Sequence, residues 1–144
     1  MSSQITCIDA GLIIQLVAFP KNTIIRQLWE RWENENVRVT APGLILYECA
    51  TVLSHYRKQA LISQITESIA LQAVLALPIE LVHDPSLHRR ALELADRFDL
   101  PVGYDPHYLA LADWYHTELW SNDKRLAKIV NQAGETRVRL VGKK

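Results

Sequence analysis

Four carboxylates stand where ionised side chains are rarely left without compensation. Asp9 ends the apolar run ITCI, and Glu48 lies in LYECATVL with Leu44, Ile45, Thr51 and Val52 as its three- and four-residue neighbours. Asp105 and Asp123 sit near the two ends of the stretch GYDPHYLALADWYHTELWSNDKRL. An acid in an apolar stripe must be paired, hydrogen-bonded or metal-bound to remain charged. The remaining acids, among them Glu30, Glu33, Glu35, Glu67, Glu93 and Asp96, fall on polar helix faces or near helix ends and read as solvated surface. Four acids gathered from distant parts of the chain repel one another unless a cation joins them. Carboxylate oxygens without His or Cys partners select a hard ion, so Mg²⁺ or Mn²⁺ is expected and Zn²⁺ is not. Such an ion polarises a phosphate, lowers the pKa of a water and steadies a leaving oxygen. The acids specify a metal, and the metal suggests phosphodiesters.

The elements that must position these acids alternate between strand and helix. Ile5 to Ile8 reads as a strand ending at Asp9, followed by Gly11 and the helical LIIQLVA. Lys21 to Asn36 is amphipathic, with Ile25, Leu28, Trp29 and Trp32 at three- and four-residue steps. Val37 to Thr40 alternates as a strand, and Pro42 is expected to open a helix running to about Gln59. Ser63 is a plausible N-cap for a helix to Ala76, IELVH is the third strand, and Pro85 and Ser86 start a helix to about Phe98. Asp105, followed by Pro106, is expected to open the next helix; Glu118 to Ser121 then forms a short strand, with Asp123 just past it and the helix KRLAKIV behind. RVRLV closes the pattern as a last strand. Strands alternating with helices imply a mostly parallel sheet covered on both faces, and in such sheets ligands bind at the carboxyl edge.

One domain is expected over residues 1–144, because a chain of this length with 49% apolar residues builds one core comfortably and not two. The formal net charge is zero, so any nucleic-acid contact must come from local patches. Cys7 and Cys49 lack the paired spacing of a metal knuckle and read as packed thiols of a reducing compartment. The run AGLIIQLVAF is interrupted by Gln15 and stops at Pro20, short of a membrane span, and MSSQ carries no basic leader; a cytoplasmic location with no membrane partner is expected.

Together, Asp9 in CIDAGLI, Glu48 in LYECATVL, Asp105 in YDPHYLALA and Asp123 in WSNDKRL resemble the PIN-domain ribonucleases, most closely the VapC-type toxins of bacteria and archaea. The resemblance covers essentially the whole chain, in order. It implies an α/β class, three-layer α/β/α domain with a parallel five-stranded sheet in the order 3-2-1-4-5, an RNA substrate, a cognate antitoxin and a homodimer. It also implies that Asp9, Glu48, Asp105 and Asp123 are both the catalytic and the metal-binding set, holding Mg²⁺ or Mn²⁺ for hydrolysis of RNA by water. Two positions depart from the family pattern. Gly11 replaces the usual Ser, Thr or Asn two residues after the first Asp, and Ser121 stands where Thr is frequent, which keeps a hydroxyl.

Around this set, Ser121, Asn122, Lys124, Arg125 and His107 are candidates for supporting the acids or meeting RNA, with Lys128 and the basic tail RVRLVGKK further out. Each also has a plainer reading. Asp105 could only cap its helix, Glu48 could be a buried acid paired with an Arg, and Lys and Arg at a helix start are ordinary solvated residues. Asp113 reads as an acid supporting the site or as an exposed one. Ile25, Trp29 and Trp32 form a stripe that serves core packing or the docking of a partner helix. Gly11 and the zero net charge motivate an alternative function, a catalytically impaired PIN-fold module that binds RNA or protein. A receiver-type phosphorylation domain would use Asp84, but has no use for a mid-helix Glu48.

Overall fold

The computed structural model describes residues 4–134 and 137–141. MSS at the start and Gly142 to Lys144 of the basic tail lie outside them. Along the chain the elements are β1 (Ile5–Ile8), α1 (Ala10–Ala18), α2 (Thr23–Asn34), β2 (Arg38–Pro42), α3 (Ile45–Lys58), α4 (Gln64–Ala76) and β3 (Glu80–Val82). They continue with α5 (Ser86–Phe98), α6 (Tyr104–Trp114), β4 (Leu119–Ser121), α7 (Lys124–Gln132) and β5 (Val138–Leu140). The five strands form one parallel sheet in the order β3-β2-β1-β4-β5. Helices cover both faces, giving a three-layer α/β/α architecture.

Register follows from which strands are fully covered. In β1, the central strand, Cys7 lies opposite Thr40 of β2 on one side and Leu119 of β4 on the other. Cys7 and Ile8 are completely buried, as a strand covered on both faces requires. The Cys7 Sγ meets Thr40 Oγ1 at 3.3 Å, and that hydroxyl donates to the Thr6 carbonyl at 2.9 Å, whereas the buried Thr6 hydroxyl beside them has no hydrogen-bond partner among the described residues. Burial pushes the Cys7 thiol up to about 11 and the Cys49 thiol up to about 12, with the Glu48 and Asp9 carboxylates adding to the rise at Cys49. These are packed thiols, as their sequence setting suggests.

The helices end where their capping groups dictate. Ser63 caps α4, its hydroxyl accepting from the Thr66 N–H at 3.0 Å, and Asn22 caps α2 through the Ile25 N–H at 3.3 Å. On α2, Ile25, Leu28, Trp29 and Trp32 are buried and the intervening charges face out. Trp32 packs edge-on against Trp120 of β4 with ring centroids 5.5 Å apart, so the aromatic stripe serves the core and is not free for a partner helix. Two helix starts depart from expectation. Pro42 does not open a helix; it ends β2 opposite Val82, where its missing N–H is tolerated, and α3 begins at Ile45 after a short turn. The helix carrying Asp105 begins at Tyr104, which places Asp105 inside its first turn rather than at its cap.

The centre of one helical layer is α6. Every residue from Pro106 to Ala112 is buried, because this helix packs on α5 and also meets β1, β2 and β4. Asp113 near its far end accepts from Arg90 Nε at 2.8 Å and pairs with Arg137 Nη2 at 3.1 Å, tying α5, α6 and the approach to β5 together. That ion pairing accounts for Asp113 without a part in the acidic site. Asp84, just past β3, accepts from the Ser86 N–H at 2.9 Å and its hydroxyl at 2.8 Å, which makes it the cap of an exposed turn.

Candidate metal centre

The acids come to the carboxyl edge of the sheet by two routes. Asp9 and Asp123 each follow a strand and cap the helix behind it. Asp9 Oδ1 accepts from the Leu12 N–H at 3.1 Å, and Asp123 Oδ1 accepts from the Leu126 N–H at 3.0 Å. In both, one carboxylate oxygen is fixed by the helix N-terminus. Glu48 and Asp105 arrive instead from the first turns of α3 and α6. Helix N-termini carry partial positive charge, so acids there are stabilised before any ion is considered.

Three hydrogen bonds, made by two residues, bind the set together. The Ser121 hydroxyl, fully buried at the end of β4, bonds to Asp9, and its oxygen accepts from the Asp123 N–H at 2.9 Å. One serine thereby links the acids that follow the two adjacent strands. The Tyr108 hydroxyl donates to Glu48 Oε1 at 2.6 Å. Glu48 is thus held by a buried phenol and not by an Arg. Sequence reasoning placed Tyr108 only among the apolar residues of its helix; the signal available was a tyrosine on a face otherwise made of Leu and Ala, where a buried hydroxyl requires a partner.

Electrostatically the site is short of positive charge. Burial pushes the Asp9 carboxyl up to about 7; the Ser121 and Leu12 hydrogen bonds oppose this, and the negative charges of Glu48 and Asp105 add to it. Glu48 is raised mainly by burial and further by Asp105, against the Tyr108 hydrogen bond. Asp105 is raised by burial and by Asp123, with Arg125 pulling the other way. These mutual effects show that the four acids share one region. Among the described residues, no three His, Cys, Asp or Glu side chains stand close enough to enclose an ion directly.

The donor set nevertheless fits a hard divalent ion. Mg²⁺ takes only one or two carboxylates directly and keeps several waters, so an open ring of acids with room between them suits it better than a closed cage. Buried acids destabilised by one another are also those that a cation relieves most. Asp9, Glu48, Asp105 and Asp123 are the residues that would hold it.

The surrounding candidates divide. Lys124 and Arg125 are exposed at the start of α7, immediately after Asp123, and Asn122 is half-buried beside it. His107 is buried at 9% exposure, its Nδ1 donating to the Gly103 carbonyl and its Nε2 meeting His88 Nδ1 at 2.9 Å. Those contacts occupy both ring nitrogens and hold α6 on α5.

No family model matches the sequence, and no curated protein matches it. Solved structures do match along nearly the whole chain. The protein PAE2754 of Pyrobaculum aerophilum is similar at 21% identity and a TM-score of 0.67, covering 97% of this chain and 92% of its own. A toxin-antitoxin complex from Klebsiella pneumoniae is similar at 17% identity and a TM-score of 0.65, over 96% of this chain and 99% of the matched one. VapBC2 of Rickettsia felis, solved with a DNA fragment from its promoter, is similar at 13% identity and a TM-score of 0.70, over 96% and 100%. The chain therefore has the PIN-like three-layer α/β/α fold that these structures share, with its own four acids on the carboxyl edge of the sheet.

Proposed function

We propose that the protein is a metal-dependent endoribonuclease that hydrolyses RNA phosphodiester bonds, and that it is the toxin of a type II toxin-antitoxin pair. The observation that carries this reading is the set of four acids at one sheet edge, three of them held away from their ordinary ionisation by burial and by one another. Mg²⁺ or Mn²⁺, when bound there, supplies Lewis acidity toward the phosphate and lowers the pKa of the attacking water.

The chain's own residues do the rest. Ser121 and Tyr108 fix the orientation of Asp9 and Glu48, and the helix caps fix Asp9 and Asp123. Lys124 and Arg125 offer the local positive charge that a zero net charge leaves to patches, and they are placed to meet backbone phosphates beside the acids. The antitoxin and homodimer partners rest on different support. One of the similar structures is a toxin-antitoxin complex by name and another is VapBC2, and the α3–α4 hairpin leaves Tyr47, Leu61, Ile65 and Ile69 well exposed, apolar surface suited to a protein partner. Among the described residues no helix is long and apolar enough to cross a membrane; action on RNA in the cytoplasm is part of the proposal.

The test is cleavage of a mixed RNA pool by the purified protein in Mg²⁺, Mn²⁺ or chelator, with Asp105→Asn prepared identically. Metal-dependent cleavage lost in the variant is the expected result. Cleavage that survives in the variant or in chelator would sink the proposal, and RNA retained without cleavage under any divalent ion would favour the impaired binding module, for which Gly11 is the motivating residue.

A further inference from the structure

Gly11 is the second residue of α1, two positions past the Asp9 cap, and the space above its Cα is occupied. A β-carbon placed on Gly11 would lie 2.7 Å from Asn122 Oδ1 and 3.6 Å from Asn122 Cγ, far inside van der Waals contact with the amide. The same point is 3.6 Å from Asp9 Oδ1. The Asn122 carboxamide therefore reaches from beyond β4, across the end of the sheet, into the place a side chain at position 11 would fill. There its oxygen and Asp9 Oδ1, the oxygen that also caps α1, both border the space a Gly11 β-carbon would take. The hydrogen bonds that hold Asp9 come from Leu12 and Ser121, so the amide is not needed to satisfy that carboxylate.

We infer that Asn122 supplies a neutral oxygen to the ion site beside Asp9, and that Gly11 is the space that admits it. The inference rests on the proposed metal centre and deepens it by naming a fifth donor. Hard cations accept Asn carbonyl oxygens alongside carboxylates. A neutral oxygen adds a ligand without adding a fifth negative charge to a set that already repels itself. Asn122 also lies next to Asp123, so one strand end presents both a charged and a neutral oxygen.

The pairing of the two positions makes the inference testable by a double-mutant cycle. Gly11→Ala places a methyl against the amide oxygen. Because that oxygen ends a flexible side chain, the amide is displaced and the fold is kept. Gly11→Ala and Asn122→Ala should then each weaken Mn²⁺ binding, measured on RNA-free protein by titration calorimetry, by roughly tenfold, as loss of supporting groups at metal sites does. The double variant should bind no more weakly than either single one, because both remove the same oxygen. Gly11→Ser combined with Asn122→Ala returns an oxygen to the same space and should recover most of the lost affinity. Thermal unfolding in chelator should be similar for all the variants.

Asn122→Ala binding Mn²⁺ as the parent does would overturn the inference and leave the metal centre standing. So would losses that multiply in the double variant. A parent that binds no Mn²⁺, measured beside Asp105→Asn, would overturn the metal centre and this inference with it.

Discussion

Asp9 meets two demands at once: it must cap α1, and it must stay poised to lose its proton in a buried place beside other acids. Its carboxyl is pushed up to about 7, whereas an unfolded aspartate titrates near 4. Between those values the native state holds a proton that the unfolded chain has released, so native stability in chelator falls as pH rises through this window and levels off above it. The contribution is at most about 4 kcal/mol. Asp9→Asn should flatten that slope and leave the metal-free protein more stable than the parent at pH 8, read by urea unfolding at pH 5 and pH 8. A divalent ion competes with the same proton, so Mn²⁺ affinity of the parent should rise with pH toward about 7 and then plateau. Tyr108→Phe leaves Glu48 Oε1 without its donor. The expected loss is about 1–3 kcal/mol of stability at neutral pH, together with weaker Mn²⁺ binding, measured by denaturation and titration of the same preparation.

At the scale of elements, the strand-end acids are set by helix starts. Asp123 caps α7 through Leu126, so the conservative and non-conservative substitutions should part company. Asp123→Asn keeps an oxygen for the cap, while Asp123→Ala loses it and about 1 kcal/mol of stability. Both should lose metal-dependent RNA cleavage, and only the alanine variant should unfold earlier in chelator. Local chemistry made such caps readable: Ser63 before α4 and Ser86 opening α5 fall where the residue types predict. It misled at Pro42 and near Asp105. A proline suits a helix start, but it also suits the end of a strand, and only the pairing of Pro42 with Val82 decides between them.

For the whole molecule, the sheet order brings Asp9 and Asp123 to adjacent strand ends, and helices from its two sides bring Glu48 and Asp105 to the same edge. A site assembled from four distant segments gains from an ion that its acids hold directly or through retained waters. Mg²⁺ or Mn²⁺ should therefore stabilise the fold, by about 2.7 kcal/mol at a hundredfold excess over the dissociation constant. Chelator should reverse the effect and Asp105→Asn should lack it; unchanged thermal unfolding in saturating Mn²⁺ would count against the metal centre.

By itself the sequence determined the alternation of strand and helix and singled out the four acids that break its apolar pattern. These are local or compositional properties, carried by periodicity, capping and residue type. Which groups serve those acids was decided only in three dimensions. Tyr108 reaches Glu48 across 60 residues of chain, Ser121 joins Asp9 to Asp123 across a strand pair, and Asn122 fills the space above Gly11. No local pattern encodes such contacts, because each depends on how the sheet order and helix packing close the chain on itself.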